Sequence, residues 1–173
     1  MKKIFKKNNF NKKKRILFFY FILTIFFIFL DQYIKYLIID NLKLKQSFIL
    51  VPKILKITYL KNYGAAFSVL FKKTKLLIFF ASLIILFFIF YIIKDKVYDK
   101  KKLFFVTMII SGGVGNLIDR YFKGYVVDYI NLIFWPFKNF AIFNFADCLV
   151  VFGSILFLLK YLKDEFFRSG FKK

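Results

Sequence analysis

Three short stretches, SGGVGNLIDR (Ser111–Arg120), VVDYI (Val126–Ile130) and FNFAD (Phe143–Asp147), decide the fold of this chain. Each of them carries one aspartate at a place where an apolar segment ends or begins. An ionisable side chain in such a place is costly in a membrane, so it needs a functional role or a specific partner. We therefore predict that the three aspartates reach one membrane surface: Asp119, Asp128 and Asp147.

The composition is that of a membrane protein, because 60% of the 173 residues are hydrophobic and 29 are Phe. The sequence has no His, which excludes His-dependent nucleophile systems and His-ligated metal sites. Its single cysteine, Cys148, excludes intrachain disulfides and thiolate metal clusters. We expect no metal and no cofactor, so the chemistry is left to Asp, Ser, Lys, Tyr and water.

The net charge of +21 does not indicate a nucleic-acid-binding protein, because the basic residues lie between long apolar runs rather than on one soluble face. Anionic membrane lipids are the expected counter-charge. With no Ser/Gly-rich linker, we expect residues 1–173 to form a single membrane-embedded domain. We expect this domain to be monomeric.

Four apolar segments are predicted to span the membrane, and the first of them is long enough to cross a hydrocarbon layer of about 30 Å at about 1.5 Å per residue. They follow a basic tail at 1–15, and the first is kept as a helix because no small-residue cleavage site follows it. The segments cover about 16–39, 76–93, 103–118 and 146–162.

The loops between these spans differ in character. The outer loop 40–75 contains the alternating stretch ILKITYL, which predicts a small β-like patch. The outer loop 119–145 is mixed aromatic and polar, as expected of an interfacial segment. The expected fold class is an all-α integral membrane protein with four transmembrane helices, an extracytoplasmic β-like patch and an interfacial segment.

Four spans place both termini on one side of the membrane. That side has 18 basic residues and the other has 11, so the bias predicts cytoplasmic termini and a site at the extracytoplasmic face. Asp31 joins the three aspartates at that face. The remaining loop acids are expected at the other face as solvated charges: Asp95, Asp99, Asp164 and Glu165.

Several polar residues near these aspartates allow two interpretations. Asp31 and Lys35 are four residues apart on one helix face, so they form either a self-neutralising ion pair or part of the site. Asn62 and Gly64 lie in an ordinary turn or in the site. The glycines of GGVG are expected to let another helix approach closely.

Asp128 and Asp147 are our candidates for a water-activating pair. Two carboxylates held together in a partly desolvated place share a proton, which suits peptide hydrolysis. Asp147 follows Asn144, a candidate N-cap, and the helix start favours its anion. We therefore expect Asp147 to be the base and Asp128 to hold the proton.

At this point the sequence resembles the lipoprotein signal peptidase family, also called signal peptidase II. The matching motifs occur in family order: DQYIK at 31–35, NYGAAF at 62–67, GGVGNLIDR at 112–120, VVDYI at 126–130 and FNFAD at 143–147. The resemblance implies a bacterial aspartic endopeptidase of the cytoplasmic membrane. Such an enzyme cleaves prolipoprotein signal peptides before a diacylglyceryl-modified cysteine. The lysine-rich amino tail and the basic loop 40–75 are unlike a typical member.

The resemblance also implies roles for single residues. The catalytic pair falls on Asp128 and Asp147. Five residues become substrate-binding or supporting residues: Asn62, Gly64, Asn116, Arg120 and Asn144. Three more become structural residues or residues one layer behind the site: Asp31, Lys35 and Asp119.

Three other functions compete with this one. The sequence contains no GxGD motif, which argues against the membrane proteases that use it. A serine and lysine peptidase would need a pair such as Ser68 with Lys35, and neither has the expected flanking residues. A transporter or channel component that uses its aspartates for protons or cations would distribute them through the membrane depth.

Overall fold

The computed structural model describes residues 2–64, 73–94, 99–137 and 140–170. Four helices and three strands lie along these residues. In chain order they are α1 (Lys2–Asn41), β1 (Ser47–Val51), β2 (Leu55–Asn62), α2 (Thr74–Lys94), α3 (Lys100–Lys123), β3 (Val126–Leu132) and α4 (Phe145–Gly170).

Each of the four helices is long and apolar enough to cross a membrane, which together with the small sheet confirms the expected fold class. All four helices extend beyond the expected spans: α1 begins at Lys2, so the basic tail expected before residue 16 is helical, and α4 ends at Gly170 instead of about 162. The extension that affects the site is that of α3. This helix continues past Ile118 to Lys123, so Asp119 and Arg120 lie in its last turns rather than in a loop. Gly124 ends it with a left-handed φ of 78°, which glycine adopts without strain, and donates its N–H to the carbonyl of Arg120.

Helix α3 lies at the centre of the bundle, where it packs against α1, α2 and α4. Half of the residues in its most apolar stretch are buried. Its glycines make this packing possible. A Cβ at Gly112 would collide with the carbonyl oxygen of Ala146 at the start of α4. At Gly115 it would lie 2.5 Å from the Asp31 carboxylate of α1. The expected close helix approach is therefore confirmed, and it brings α1 and α4 together over one turn of α3.

The strands form an antiparallel sheet in the order β1-β2-β3, which is the expected β-like patch. In the β2–β3 pair, Leu60 lies opposite Asp128 and Asn62 opposite Val126. A hydrophobic cluster joins the sheet to the last turns of α1: Leu42, Ile57, Tyr59, Val127 and Tyr129, with Ile34 and Ile38 packed against them. This cluster fixes the position of Asp128 relative to the helices.

The contacts around Asp99 and Asp164, at the far end of the bundle from Asp128 and Asp147, differ from one expectation. Lys160 of α4 forms ion pairs with Asp99 and Asp164, and Lys102 of α3 pairs with Asp164 at 2.7 Å. Asp99 and Asp164 are therefore paired across α3 and α4 rather than simply solvated. Asp95 lies outside the described residues.

Candidate active site

Asp128 lies in β3 and is 1% exposed. Its Oδ2 accepts a hydrogen bond of 2.8 Å from Nδ2 of Asn62, the last residue of β2. Its Oδ1 accepts one of 2.8 Å from Nδ2 of Asn144. Burial raises the pKa of Asp128 to about 7, and the negative charge of Asp147 adds to the shift. This carboxyl group is therefore suited to holding a proton near neutral pH.

Asp147 is the third residue of α4 and forms a reciprocal cap with Asn144. Oδ1 of Asn144 accepts the N–H of Asp147 at 2.9 Å, while Oδ2 of Asp147 accepts the N–H of Asn144 at 3.1 Å. This is the capping-box arrangement with aspartate in the place of the usual Glu or Gln. It confirms Asn144 as the expected N-cap, and it fixes the Asp147 carboxylate at the positive end of the helix.

Asn144 connects the two carboxyl groups. Its side chain donates to Asp128 and its backbone N–H donates to Asp147, so both carboxyl groups lie around one fully buried residue. The same Nδ2 also lies 3.1 Å from Oδ1 of Asn116 and 3.3 Å from the carbonyl oxygen of Val127. The structure thus brings the two candidate catalytic residues together, although they lie on different elements.

Lys35 lies behind this pair and is completely buried. Its Nζ is 2.8 Å from Asp31 and 3.0 Å from Asp119, and it donates to Oδ1 of Asn116 at 3.0 Å. Asn116 in turn donates through Nδ2 to Oδ1 of Asp147 at 2.8 Å. The expected ion pair of Asp31 and Lys35 is therefore present, and Asn116 connects it to Asp147.

The two acids that flank Lys35 also hold the backbone around the site. Oδ1 of Asp31 accepts the N–H of Ala146 at 3.1 Å, next to Asp147 in α4. Oδ2 of Asp119 accepts the N–H of Val127 at 3.2 Å, next to Asp128 in β3. Each buried acid thus positions the residue that precedes one of the two candidate catalytic residues.

Arg120 connects α3 to the turn that follows β2. Its guanidinium donates to the carbonyl oxygens of Gly64 at 3.1 Å and Asn116 at 3.4 Å. The N–H of Gly64 donates to Oδ1 of Asn62 at 2.9 Å, so Asn62 shapes the turn and also binds Asp128. The rest of the NYGAAF motif, residues 65–67, lies outside the described residues.

Three residues of this network were not predicted from the sequence. Lys123 pairs with Asp119 at 2.8 Å, and their spacing of four residues on one helix was the signal available for it. Gln32 donates to the carbonyl oxygen of Gly115 at 3.0 Å, and the hydroxyl oxygen of Tyr129 accepts the N–H of Phe145 at 3.1 Å. Both lie inside quoted motifs, but no spacing rule indicated their partners.

The formal charges of the site balance if the carboxyl pair holds one proton. Asp31 and Asp119 carry two negative charges, which Lys35 and Lys123 neutralise. The remaining groups are the carboxyl pair and Arg120, whose positive charge interacts with both of its members. A singly protonated pair carries one negative charge, so the whole cluster is neutral, as a low-dielectric environment favours.

The geometry also bears on the alternatives. Lys35 is held by two carboxylates and an amide oxygen, so it is not available as the base of a serine peptidase; Ser68 lies outside the described residues. The four acids at the site gather at one end of the bundle rather than along its depth. These acids are Asp31, Asp119, Asp128 and Asp147. Their clustering favours a reaction site over a path for translocated ions.

Comparison with known proteins identifies the family to which this chain belongs. A family model described as "Signal peptidase (SPase) II" matches residues 23–163. The chain belongs to the signal peptidase II family. The lipoprotein signal peptidase of Streptococcus agalactiae is 41% identical over 83% of this chain and 92% of its own. The lipoprotein signal peptidase of Haemophilus ducreyi is 34% identical over 83% of this chain and 90% of its own chain.

Solved structures agree with this assignment. A bacterial membrane enzyme of known structure superposes with a TM-score of 0.78 at 32% identity, over 84% of this chain and 88% of its own. A second such structure has a TM-score of 0.75 at the same identity. Signal peptidase II proteins are aspartic peptidases, and this chain is one of them, a bacterial membrane protein with four spanning helices.

Proposed function

We propose that Asp128 and Asp147 are the catalytic pair with which this signal peptidase II removes signal peptides from prolipoproteins, by cleavage before a diacylglyceryl-modified cysteine. The observation that carries the proposal is the contact of both carboxyl groups with Asn144 in a buried, charge-balanced site. Family membership supports the substrate class.

The proton of the pair belongs on Asp128. Burial and the charge of Asp147 raise its pKa to about 7, so a large share of Asp128 is protonated at neutral pH, unlike an ordinary aspartate. Asp147 accepts N–H groups from Asn144 and Asn116 at the start of α4, and these donors stabilise a carboxylate.

The reaction follows from this distribution of charge. Asp147 takes a proton from water while the water oxygen attacks the scissile carbonyl carbon, and Asp128 donates its proton to the carbonyl oxygen. In the tetrahedral intermediate the C–N bond then breaks. The amine of the lipidated cysteine takes the proton from Asp147, and the proton on the oxygen returns to Asp128 as the carbonyl reforms. Both carboxyl groups end in their starting states.

The neighbouring residues have positioning roles in this proposal. Asn62 and Asn144 orient Asp128, and Asn116 orients Asp147. Arg120 holds the Gly64 turn and supplies the positive charge that balances the singly protonated pair. We further propose that the site faces the extracytoplasmic leaflet, that both termini are cytoplasmic, and that the enzyme works as a monomer among membrane lipids.

The test is a mass-spectrometric cleavage assay with purified enzyme and a synthetic diacylglyceryl prolipoprotein. Wild-type enzyme should release a peptide that ends directly before the lipidated cysteine, and Asp147→Asn should release none while still inserting into membranes. Asp164→Asn, at the far end of the bundle, is the matched control and should cleave. Normal cleavage by Asp147→Asn would exclude the pair.

A further inference from the structure

The hairpin of β1 and β2 carries an apolar strand that is exposed among the described residues. β1 is the edge strand of the sheet, and all five of its residues are exposed. Phe48 is 48% exposed, Ile49 65% and Leu50 55%. An exposed apolar edge strand in water is an aggregation site, so a native protein covers it or places it in an apolar environment.

The same hairpin is strongly basic. Lys43 and Lys45 precede β1, Lys53 lies in the turn and Lys56 in β2, while residues 41–94 contain no Asp or Glu. The first three are exposed, and no ion pair among the described residues includes them. An apolar strand bordered by such lysines matches the boundary between acyl chains and anionic headgroups.

The position of the hairpin agrees with this match. It follows α1 directly, at the end of the bundle where the carboxyl pair lies. The last turns of α1 also present apolar and aromatic side chains outward, including Tyr36 and Leu37, and Leu44 continues that surface toward β1. Leu44 lies between the exposed apolar surface of the spanning helix and β1, within a polar stretch that consists of Asp40, Asn41, Lys43, Lys45, Gln46 and Ser47.

We propose that the β1–β2 hairpin is inserted in the bilayer at the site end, with β1 among the acyl chains and Lys43, Lys45 and Lys53 on the phosphates of anionic phospholipids. The occupant of the exposed strand is therefore lipid. This inference does not depend on the catalytic pair, because insertion and headgroup preference are measured without cleavage.

The experiment places a single tryptophan on the strand. Trp135 is the only native tryptophan, so Ile49→Trp in a Trp135→Phe background gives one reporter. The variant is reconstituted into vesicles that contain equal mole fractions of phosphatidylcholine and phosphatidylglycerol, with bromine on the acyl chains of one lipid or the other. Phe87→Trp in the same background, in the middle third of α2, is the matched reporter of a spanning segment. A cleavage assay checks that each variant is folded.

Bromolipid should quench the reporter on β1, and brominated phosphatidylglycerol should quench it more than brominated phosphatidylcholine. The reporter on α2 should show no preference. Changing Lys43, Lys45 and Lys53 together to Gln should remove this preference. Each lysine that is lost should lower the apparent affinity for phosphatidylglycerol about fivefold. The matched control, Lys101→Gln with Lys163→Gln at the far end, should retain it.

Two results would overturn the inference. Absence of bromolipid quenching would place β1 outside the bilayer, in water if acrylamide quenches the tryptophan and against a second copy of the chain if it does not. Quenching without a preference for phosphatidylglycerol would refute the lysine contacts. Either result leaves the catalytic proposal untouched if cleavage continues.

Discussion

Asn116 is the residue through which the buried cation Lys35 acts on the carboxyl pair. Its Oδ1 accepts from Lys35 and Asn144, so its Nδ2 must face Asp147. Lysine has only donors to offer, and this fixes the orientation of the amide. The sequence motif indicated a supporting role for Asn116, but the atoms it joins became evident only when three helices were packed together.

Removal of the Lys35 charge should damage both stability and catalysis. Lys35→Met leaves Asp31 and Asp119 with an uncompensated buried charge, which costs about 3–5 kcal/mol of unfolding free energy. Thermal unfolding in detergent measures this cost. Lys123→Met is the control: it removes a partly exposed cation from the same Asp119, so its cost should be clearly smaller. Equal costs for the two variants would contradict the role given to Lys35.

The pH dependence of cleavage should report the proton on Asp128. Its pKa is raised to about 7, so the group is protonated below that pH and loses the proton above it. The value of kcat/KM should therefore fall as the pH rises through about 7. The hydrogen bond from Asn62 stabilises the carboxylate, so Asn62→Ala should move this fall to higher pH. A pH profile that stays flat to pH 9, or a shift to lower pH in the variant, would count against Asp128 as the acid.

At the scale of elements, the approach of α4 to α3 depends on a backbone contact at Gly112. An added Cβ there would collide with the carbonyl oxygen of Ala146, which belongs to a helix that cannot yield locally. We expect Gly112→Ala to lower the unfolding free energy by about 1–3 kcal/mol and to reduce cleavage, because α4 carries Asp147.

Gly113→Ala is the matched control for this substitution. Its Cβ would meet only the side chain of Ile85, at 3.0 Å and 3.2 Å, which can adjust. Stability should change by less than about 1 kcal/mol. If both variants were equally tolerated, the close contact between α3 and α4 would not be needed for the site.

Some features of the helices and strands could be predicted from the sequence, and others could not. The cap of α4 by Asn144 and the β-like patch were predictable, because capping residues and strand alternation are local signals. The end of α3 was placed five residues too early, because Asp119 and Arg120 looked like loop residues. Their burial depends on partners from α1 and the turn at Gly64, which no local pattern reveals.

At the scale of the whole molecule, hydropathy alone predicted four membrane helices, and the structure agrees. It could not predict that α3 lies at the centre, since this depends on which glycines meet which neighbours. The pairing of Asp128 with Asp147 was inferred from their common end of the bundle. Its detailed geometry, two carboxyl groups around Asn144, required the packed structure.

The whole molecule should work without a metal. The sequence has no His and one Cys, and the oxygens of Asp128 and Asp147 accept hydrogen bonds from Asn side chains and backbone. Cleavage of the lipidated substrate should therefore be unchanged in EDTA and after treatment with serine-directed reagents. A strong loss of rate in EDTA that zinc or magnesium restores would show that the chemistry was assigned wrongly.

The most direct test of the shared proton compares single-turnover cleavage rates of Asp128→Asn, Asp147→Asn and the double variant. Residues that act as a unit give losses that do not multiply. We predict that each single variant falls to the uncatalysed background and that the double variant falls no further. A single variant that cleaves at the wild-type rate, or losses that multiply in the double variant, would contradict a catalytic pair at Asp128 and Asp147.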